Sequence, residues 1–275
     1  MHKKVNLVFG SSGLIGKSFK KVLKKDKNYI FFSKNTKNFV KYDLNKSLKN
    51  FPYKKVEKCF FFASPRILNK NLKKKIFNQE YIWLKNVIKN IDIKQIIYLS
   101  SSSVYYKKNH VIGSTKKRCE DLIIKNKKKF DNYQIWRPFN LVGSCYYPSD
   151  HFLNILFKKM FIEKKKSYSF KGNANDMRGY SSVDEFVNIM LQFSNIKKSF
   201  LKDFGNINLT KLNEIIELFN TYYFKLNKKN FKFNFLSKKK NINKIKLNRK
   251  NIFSKSDTIK ILKNYLKNSI NDKKM

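Results

Sequence analysis

Three glycines at a fixed spacing are the first residues of the chain whose types suit a chemical task. Gly10-Ser-Ser-Gly13-Leu-Ile-Gly16 follows a short apolar run, Val5 to Phe9, and leads into apolar residues at helical spacing, Phe19, Val22 and Leu23. Strand, glycine turn and helix together bring backbone amides at a helix N-terminus up to a pyrophosphate, because glycine permits both the tight turn and the close approach. The chain has 8 glycines in 275 residues, and three of them stand here. Gly10, Ser12, Gly13, Leu14, Ile15 and Gly16 are the expected phosphate cradle of a dinucleotide.

A protein that takes NAD usually ends its second strand in an acid that holds the ribose hydroxyls. Ser33 and Lys34 hold that place here, with Lys37 close by. The cofactor class read from this is NAD(P), with NADP slightly favoured because a cation suits its extra phosphate. Asp43 closes the third apolar run and could accept a hydrogen bond from the adenine amino group. Other spacings carry less. Tyr-x-x-x-Lys occurs at Tyr42/Lys46 and Tyr81/Lys85, but with 15 Tyr in a lysine-rich chain the spacing recurs by chance. Cys59, Cys119 and Cys145 are odd in number and form no CxxC, which argues against a disulfide framework or a zinc cage and fits a reducing cytoplasm; no metal ligand set is read.

The elements that must position these residues follow from the apolar pattern. Strands are expected at Val5–Phe9, Tyr29–Phe32, Val40–Asp43, Cys59–Ala63, Gln95–Ser100 and Tyr133–Trp136, with helices over 17–25, 76–90 and 115–125. This alternation predicts an α/β fold with a doubly wound parallel sheet of the Rossmann type and a ligand crevice at the strands' carboxyl ends. Beyond about residue 145 the pattern loosens. Helical stretches are expected at 151–162, 183–193, 211–224 and 256–267, a late strand near 204–208 returns to the sheet, and 225–250 is a Lys/Asn-rich segment of poor periodicity. The expected organisation is a dinucleotide-binding domain over 1–145 and a smaller, irregular substrate-binding lobe over 146–275.

Composition limits the partners. The net charge of +44 comes from 62 Lys and Arg against 18 Asp and Glu. Nearly all of it is Lys, with Arg at 66, 118, 137, 178 and 249, and Ala at 63 and 174 alone, a profile that AT-rich codons produce. The clusters at Lys73–Lys75, Lys127–Lys129, Lys164–Lys166 and Lys238–Lys240 are scattered, so a nucleic-acid partner is disfavoured. No run approaches the ~18–20 apolar residues of a membrane span.

Taken together, these residues resemble the extended short-chain dehydrogenase/reductase family, of the NAD-dependent epimerase/dehydratase type. Asp43-Leu44 is similar to its adenine contact and Phe61-Phe62-Ala63 to its fourth-strand "hxA". Asn78 resembles the Asn that opens its next helix. Tyr98 to Tyr105 is similar to "SSxxVYG", Arg137-Pro-Phe-Asn140 with Gly143 to "RxxNxxG", and Arg178 to Glu185 to "RDFxxVDD". The resemblance runs from about residue 4 to 220. It implies that Leu44, Ala63, Asn78, Lys116 and Phe139 meet the cofactor, that Ser103, Asn140 and Arg178 meet a nucleotide-sugar-like substrate, and that Ser101 orients the reacting oxygen. A homodimer is left as an open expectation.

One departure stands out. Gly113-Ser-Thr-Lys116 followed by Glu120 resembles "YGxSKxxxE", which places Ile112 where the family has its catalytic Tyr. A phenol of pKa ~10 can pass a proton as hydride moves. Isoleucine has none to pass. Tyr105 and Tyr106 are the expected stand-ins, with His110 a third. The stretch between "VY" and that position is also short, residues 106–111 only. Ser102-Ser103 stand where the dehydratase branch has Asp-Glu, which leans away from dehydration. The resulting reading is an NAD(P)-dependent epimerase or reductase acting on a nucleotide-activated sugar by hydride transfer. A catalytically silent dinucleotide-binding module is the alternative, and an RNA-binding relative the third.

Overall fold

The chain's structure is a computed structural model that describes residues 5–34, 39–65, 73–106, 110–149, 151–170, 172–236, 251–254 and 256–272, without the side chains of 73–77. Lys37, Lys73–Lys75 and the Lys-rich stretch beyond 236 therefore lie outside the side chains described. The elements are β1 (Asn6–Phe9), α1 (Leu14–Val22), β2 (Tyr29–Ser33), β3 (Val40–Lys41), β4 (Lys55–Phe61), α2 (Lys73–Asn90), β5 (Asp92–Leu99), α3 (Val111–Lys125) and β6 (Asn132–Pro138). After them come β7 (Leu141–Val142), α4 (Phe152–Phe157), β8 (Ser167–Phe170), β9 (Met177–Arg178), β10 (Ser181–Ser182), α5 (Val183–Ser194) and β11 (Phe200–Asn206). The chain ends with β12 (Thr210–Lys211), α6 (Leu212–Asn227), β13 (Lys232–Phe235), β14 (Ile252–Ser254) and α7 (Thr258–Asn271).

Among the described residues the main sheet has 8 strands in the order β14-β11-β6-β5-β4-β1-β2-β3. β1 pairs in parallel with β2 on one side and β4 on the other. The strand order therefore reverses at β1, which puts the topological switch point, and its ligand crevice, at the carboxyl ends of β1 and β4. Residues 6–9 are buried without alternation, as strands covered on both faces must be. On one face Leu7, Cys59, Phe61, Ile96 and Tyr98 pack with Leu84 and Val87 of α2 and Ile123 of α3. On the other, Phe19 of α1 lies 4.7 Å from Phe60, and Trp136 meets Phe186 and Phe193 of α5 edge-on at 5.7 and 5.6 Å. Helices on both faces make the sheet doubly wound, as expected.

The compact units of the structure interleave along the chain. The first unit runs from the N-terminus to Pro138 and takes in Phe186–Phe204 and a short segment ending at Ile252; the second comprises Phe139–Glu185, Gly205–Asn248 and Phe253 onward. The physical reason is β11, which pairs in parallel with β6 and keeps most of α5 on the sheet. The second unit has its own core around Leu156, Phe157, Met160, Phe219, Tyr265 and Leu266, with the small pairs β7/β10, β9/β12 and β8/β13 beside it. Among the described residues no helix is long and apolar enough to cross a membrane.

Candidate functional site

The glycine turn sits at the switch point, and each glycine has a separate reason. Gly10 has φ +83°, and a Cβ there would lie 2.5 Å from the Ala63 amide nitrogen, so only glycine lets the ends of β1 and β4 close up. A Cβ on Gly16 would lie 2.5 Å from Ser11 Cα, so the first turn of α1 packs directly on the loop. Gly13 is the N-cap of α1 and makes no side-chain cap, and no acid stands in the first turn. Ser11 Oγ donates to the Val8 carbonyl at 2.8 Å and locks the loop from below. The first amides of α1 are thus left without intrahelical partners beside half-buried Ser12, Leu14 and Ile15, a concavity that a side chain would fill and that suits a pyrophosphate.

At the adenosine end Ser33 is buried at the close of β2, and its carbonyl accepts from the Tyr42 amide at 3.0 Å. Lys34 is not a free cation: its Nζ lies 3.0 Å from Asp43 Oδ2. Burial pushes the Asp43 carboxyl up, but the Asn45 amide and the Lys34 ammonium outweigh it and hold the group below its usual range. Leu44 is buried, and Asn78 on α2 accepts from Arg118 Nη1 at 2.8 Å.

The serine end is a 3₁₀ turn, Ser102–Tyr105, after β5. Ser101 Oγ accepts from the Ser103 amide at 3.1 Å and caps the turn. Ser103 is buried and its hydroxyl has no partner among the described residues; its carbonyl leaves no room for a Cβ on Gly113, so this turn and the start of α3 are pressed together. Tyr105 donates to both oxygens of Asp203 at 2.8 and 2.9 Å and accepts from Arg137 Nη1 at 2.7 Å. Burial and the Asp203 carboxylate raise its phenol above the usual value. Tyr106 is exposed, its ring edge-on to His110 at 5.0 Å. His110 caps α3, with Nδ1 accepting from the Gly113 amide at 3.1 Å. His110→Ala is expected to lower stability by about 1 kcal/mol, and His110→Asn to restore most of it, as read by chemical denaturation.

Ile112 occupies the first turn of α3, one turn before Lys116 on the same face. Lys116 is buried. Its ammonium donates to Glu80 Oε1 at 2.7 Å and to the Leu99 carbonyl at 2.8 Å. Glu80, on α2, is inaccessible to solvent and also accepts from Tyr98 at 2.7 Å and Ser64 at 2.7 Å. A parallel arrangement lies beneath the serine turn: Glu120 accepts from Ser100 at 2.6 Å and from Arg137 Nε and Nη2 at 2.8 and 2.6 Å. Glu80 and Asp203 carry no sequence motif, and Glu120 enters the sequence only as the acid that follows Lys116 in its motif, with no role attached. The available signal was an acid on an apolar helical face, Glu80 with Leu84 and Val87, Glu120 with Cys119 and Ile123.

In the second unit Asn140 takes a left-handed φ of 40°, and its Nδ2 donates to the Gly179 carbonyl at 3.1 Å. Phe139 beside it is half-buried. Arg178, half-buried on β9, has no hydrogen bond or ion pair to its guanidinium among the described residues. Cys59 and Cys119 are buried thiols, and burial raises both.

No family model and no curated protein matches the chain. Solved structures do. MoeE5 in complex with UDP-glucuronic acid and NAD is similar at a TM-score of 0.72 and 14% identity, over 98% of this chain and 100% of that one. A UDP-galactose 4-epimerase gives 0.70 and 14%, over 98% and 99%. The UDP-glucuronic acid 4-epimerase of Bacillus cereus, in complex with NAD, gives 0.65 and 20%, over 84% and 85%. At these identities the likeness establishes the fold.

Proposed function

We propose that the chain binds a nicotinamide dinucleotide on the glycine turn and a nucleotide-activated sugar through Asn140 and Arg178, and exchanges hydride between them as an epimerase or reductase does. The observation that carries this is the cradle at Gly10, where positive φ and a 2.5 Å approach to Ala63 leave room for backbone alone. The likeness in fold to solved proteins holding UDP-sugars and NAD supports it.

When bound, the nicotinamide supplies the hydride acceptor and donor. The chain's own residues divide the remaining work. Ser101 accepts from the Ser103 amide, which leaves its own proton to orient the reacting oxygen. Tyr105 holds the serine turn to Arg137 and Asp203, so the phenol that moves a proton is Tyr106. The Arg178 guanidinium, whose forked donors have no partner among the described residues, meets the diphosphate. The test is epimer formation from a panel of UDP-sugars with NAD+ or NADP+. Turnover is expected, and Tyr106→Phe should lower it by about 10²-fold or more.

A second reading rests on Lys116. With Ile112 one turn away and its ammonium buried against Glu80, the pair expected to serve the nicotinamide offers neither phenol nor free cation. Tight dinucleotide binding with no epimer and no absorbance change would favour a silent module over an enzyme.

A further inference from the structure

We propose that the amino end of the main sheet is a docking face for the phosphate backbone of a nucleic-acid duplex, bound without regard to sequence. The lysine clusters are scattered along the chain, which argued against such a partner. The fold gathers several of them, because in a parallel sheet each helix returns the chain to the same end.

Hydrogen bonds carry that end unbroken across β2, β1, β4, β5, β6 and β11. The amides of Asn6, Glu57, Asp92 and Asp131 donate to the carbonyls of Asn28, Val5, Lys54 and Lys94 at 2.7–2.9 Å, and the Tyr133 amide donates to Ser199 Oγ at 3.1 Å. The connection from α1 to β2 brings Lys24, Lys25 and Lys27 to this edge, all exposed. Exposed Lys127–Lys129 arrive between α3 and β6, and Lys197 and Lys198 between α5 and the neighbouring β11. The acids here are engaged elsewhere. Glu57 lies 2.9 Å from Lys94, Asp92 lies 3.8 Å from Lys55, and Asp26 accepts from the Asn28 amide. Lysine is therefore in excess at both ends of a row about 24 Å long, at roughly 4.8 Å per strand.

The chemistry of the row selects the partner. A duplex strand carries a phosphate every ~3.4 Å, so the row spans about seven. Lysine meets phosphate as a point charge, whereas base edges are read by forked donors such as arginine. The described arginines nearest in sequence are committed, Arg118 to Asn78 and Arg137 to Glu120. Tyr29, Tyr53 and Tyr133 are half-buried, which leaves no open ring at this end for the bases of a single strand. Exposed Val22, Ile124 and Ile196 come one each from α1, α3 and the turn after α5, where a lipid surface takes one broad apolar face. The glycine turn lies at the carboxyl end, the 8 residues of β5 or about 26 Å away, so the duplex and a dinucleotide do not compete.

The experiment is fluorescence anisotropy of two DNA duplexes of unrelated sequence, titrated with the whole chain over a salt series. Both should bind alike, at about 1–100 μM near physiological salt, with a slope of log K against log salt of about −4 or steeper. Replacing Lys127, Lys128 and Lys129 together by Ala should make the slope shallower by about 2–3, with the melting midpoint unchanged. Replacing Lys165, Lys166 and Lys229 of the second unit removes the same charge and should leave the slope near that of wild type. Equal losses from the two triple variants, a wild-type slope shallower than about −2, or release of the duplex by saturating NAD+ overturns the proposal. So does a chain that takes phosphatidylserine vesicles and not the duplexes.

Discussion

Glu80→Ala is expected to destabilise the fold by about 3–5 kcal/mol, the cost of leaving a buried charge without its partner. Lys116 would keep one strong acceptor, the Leu99 carbonyl, while Tyr98 and Ser64 would each lose theirs. Against a typical stability of roughly 5–15 kcal/mol such a loss is large. The urea midpoint of the whole chain reads it. Replacing both partners, Glu80→Leu with Lys116→Met, should recover much of the loss, since a well-packed apolar pair is often as stable as the ion pair it replaces. A Glu80→Ala variant within 1 kcal/mol of wild type would mean that Lys116 reaches solvent and is not locked. The same measurement therefore bears on function, because a lysine that stabilises the fold in this way is withdrawn from ligand contact.

Gly10→Ala is expected to abolish dinucleotide binding. Its Cβ would sit 2.5 Å from the Ala63 nitrogen and 2.6 Å from the Phe62 carbonyl carbon, both backbone atoms that cannot swing aside. The left-handed φ adds about 1–2 kcal/mol for any residue with a Cβ. Relief can come only by parting the ends of β1 and β4, which opens the cradle. Because that variant also strains the fold, Gly13→Ala is the companion. Its Cβ meets only the Gly10 carbonyl oxygen, at 3.3 Å, a tight contact that a small shift relieves, so the melting midpoint should fall far less than in Gly10→Ala. Its affinity for NAD+ should still fall about tenfold or more, roughly 1.4 kcal/mol, as the cap is crowded. Unchanged titration curves for both variants would remove the glycine turn from the site.

Much of this was legible in the residues. Strand–helix alternation and the glycine spacing located the sheet and its switch point, because both depend on local pattern and on the special backbone of glycine. Boundaries were less so. Val40–Asp43 was expected as a strand, but the pairing stops at Lys41, where Asp43 turns to bond the Asn45 amide. α3 begins at Val111 rather than Thr115 because His110, an unusual cap, supplies the accepting nitrogen. The two-residue strands of the second unit are too short to leave a periodicity. The largest gap concerns charge. Lys34 reads as a cation for a 2′-phosphate and Lys116 as a cofactor contact, yet these and Arg137 each meet a carboxylate of the chain itself. Two of those partners stand off in sequence, Glu80 by 36 residues and Glu120 by 17, and Tyr105 and Asp203, which complete the Arg137 network, are 98 residues apart. Spacing alone could not have joined them.

Drawing Glu80, Glu120 and Asp203 inward has a consequence for the exterior. The chain has 18 acidic residues to set against 62 basic ones, and several of those acids are spent where they relieve nothing outside. Lys116 and Arg137 go inward with two of them, so the exterior keeps essentially the whole positive excess of the tally, and self-repulsion of that kind works against compactness. Mobile anions gathered within about a Debye length, ~8 Å at physiological ionic strength, thereby become a working part of the folded molecule.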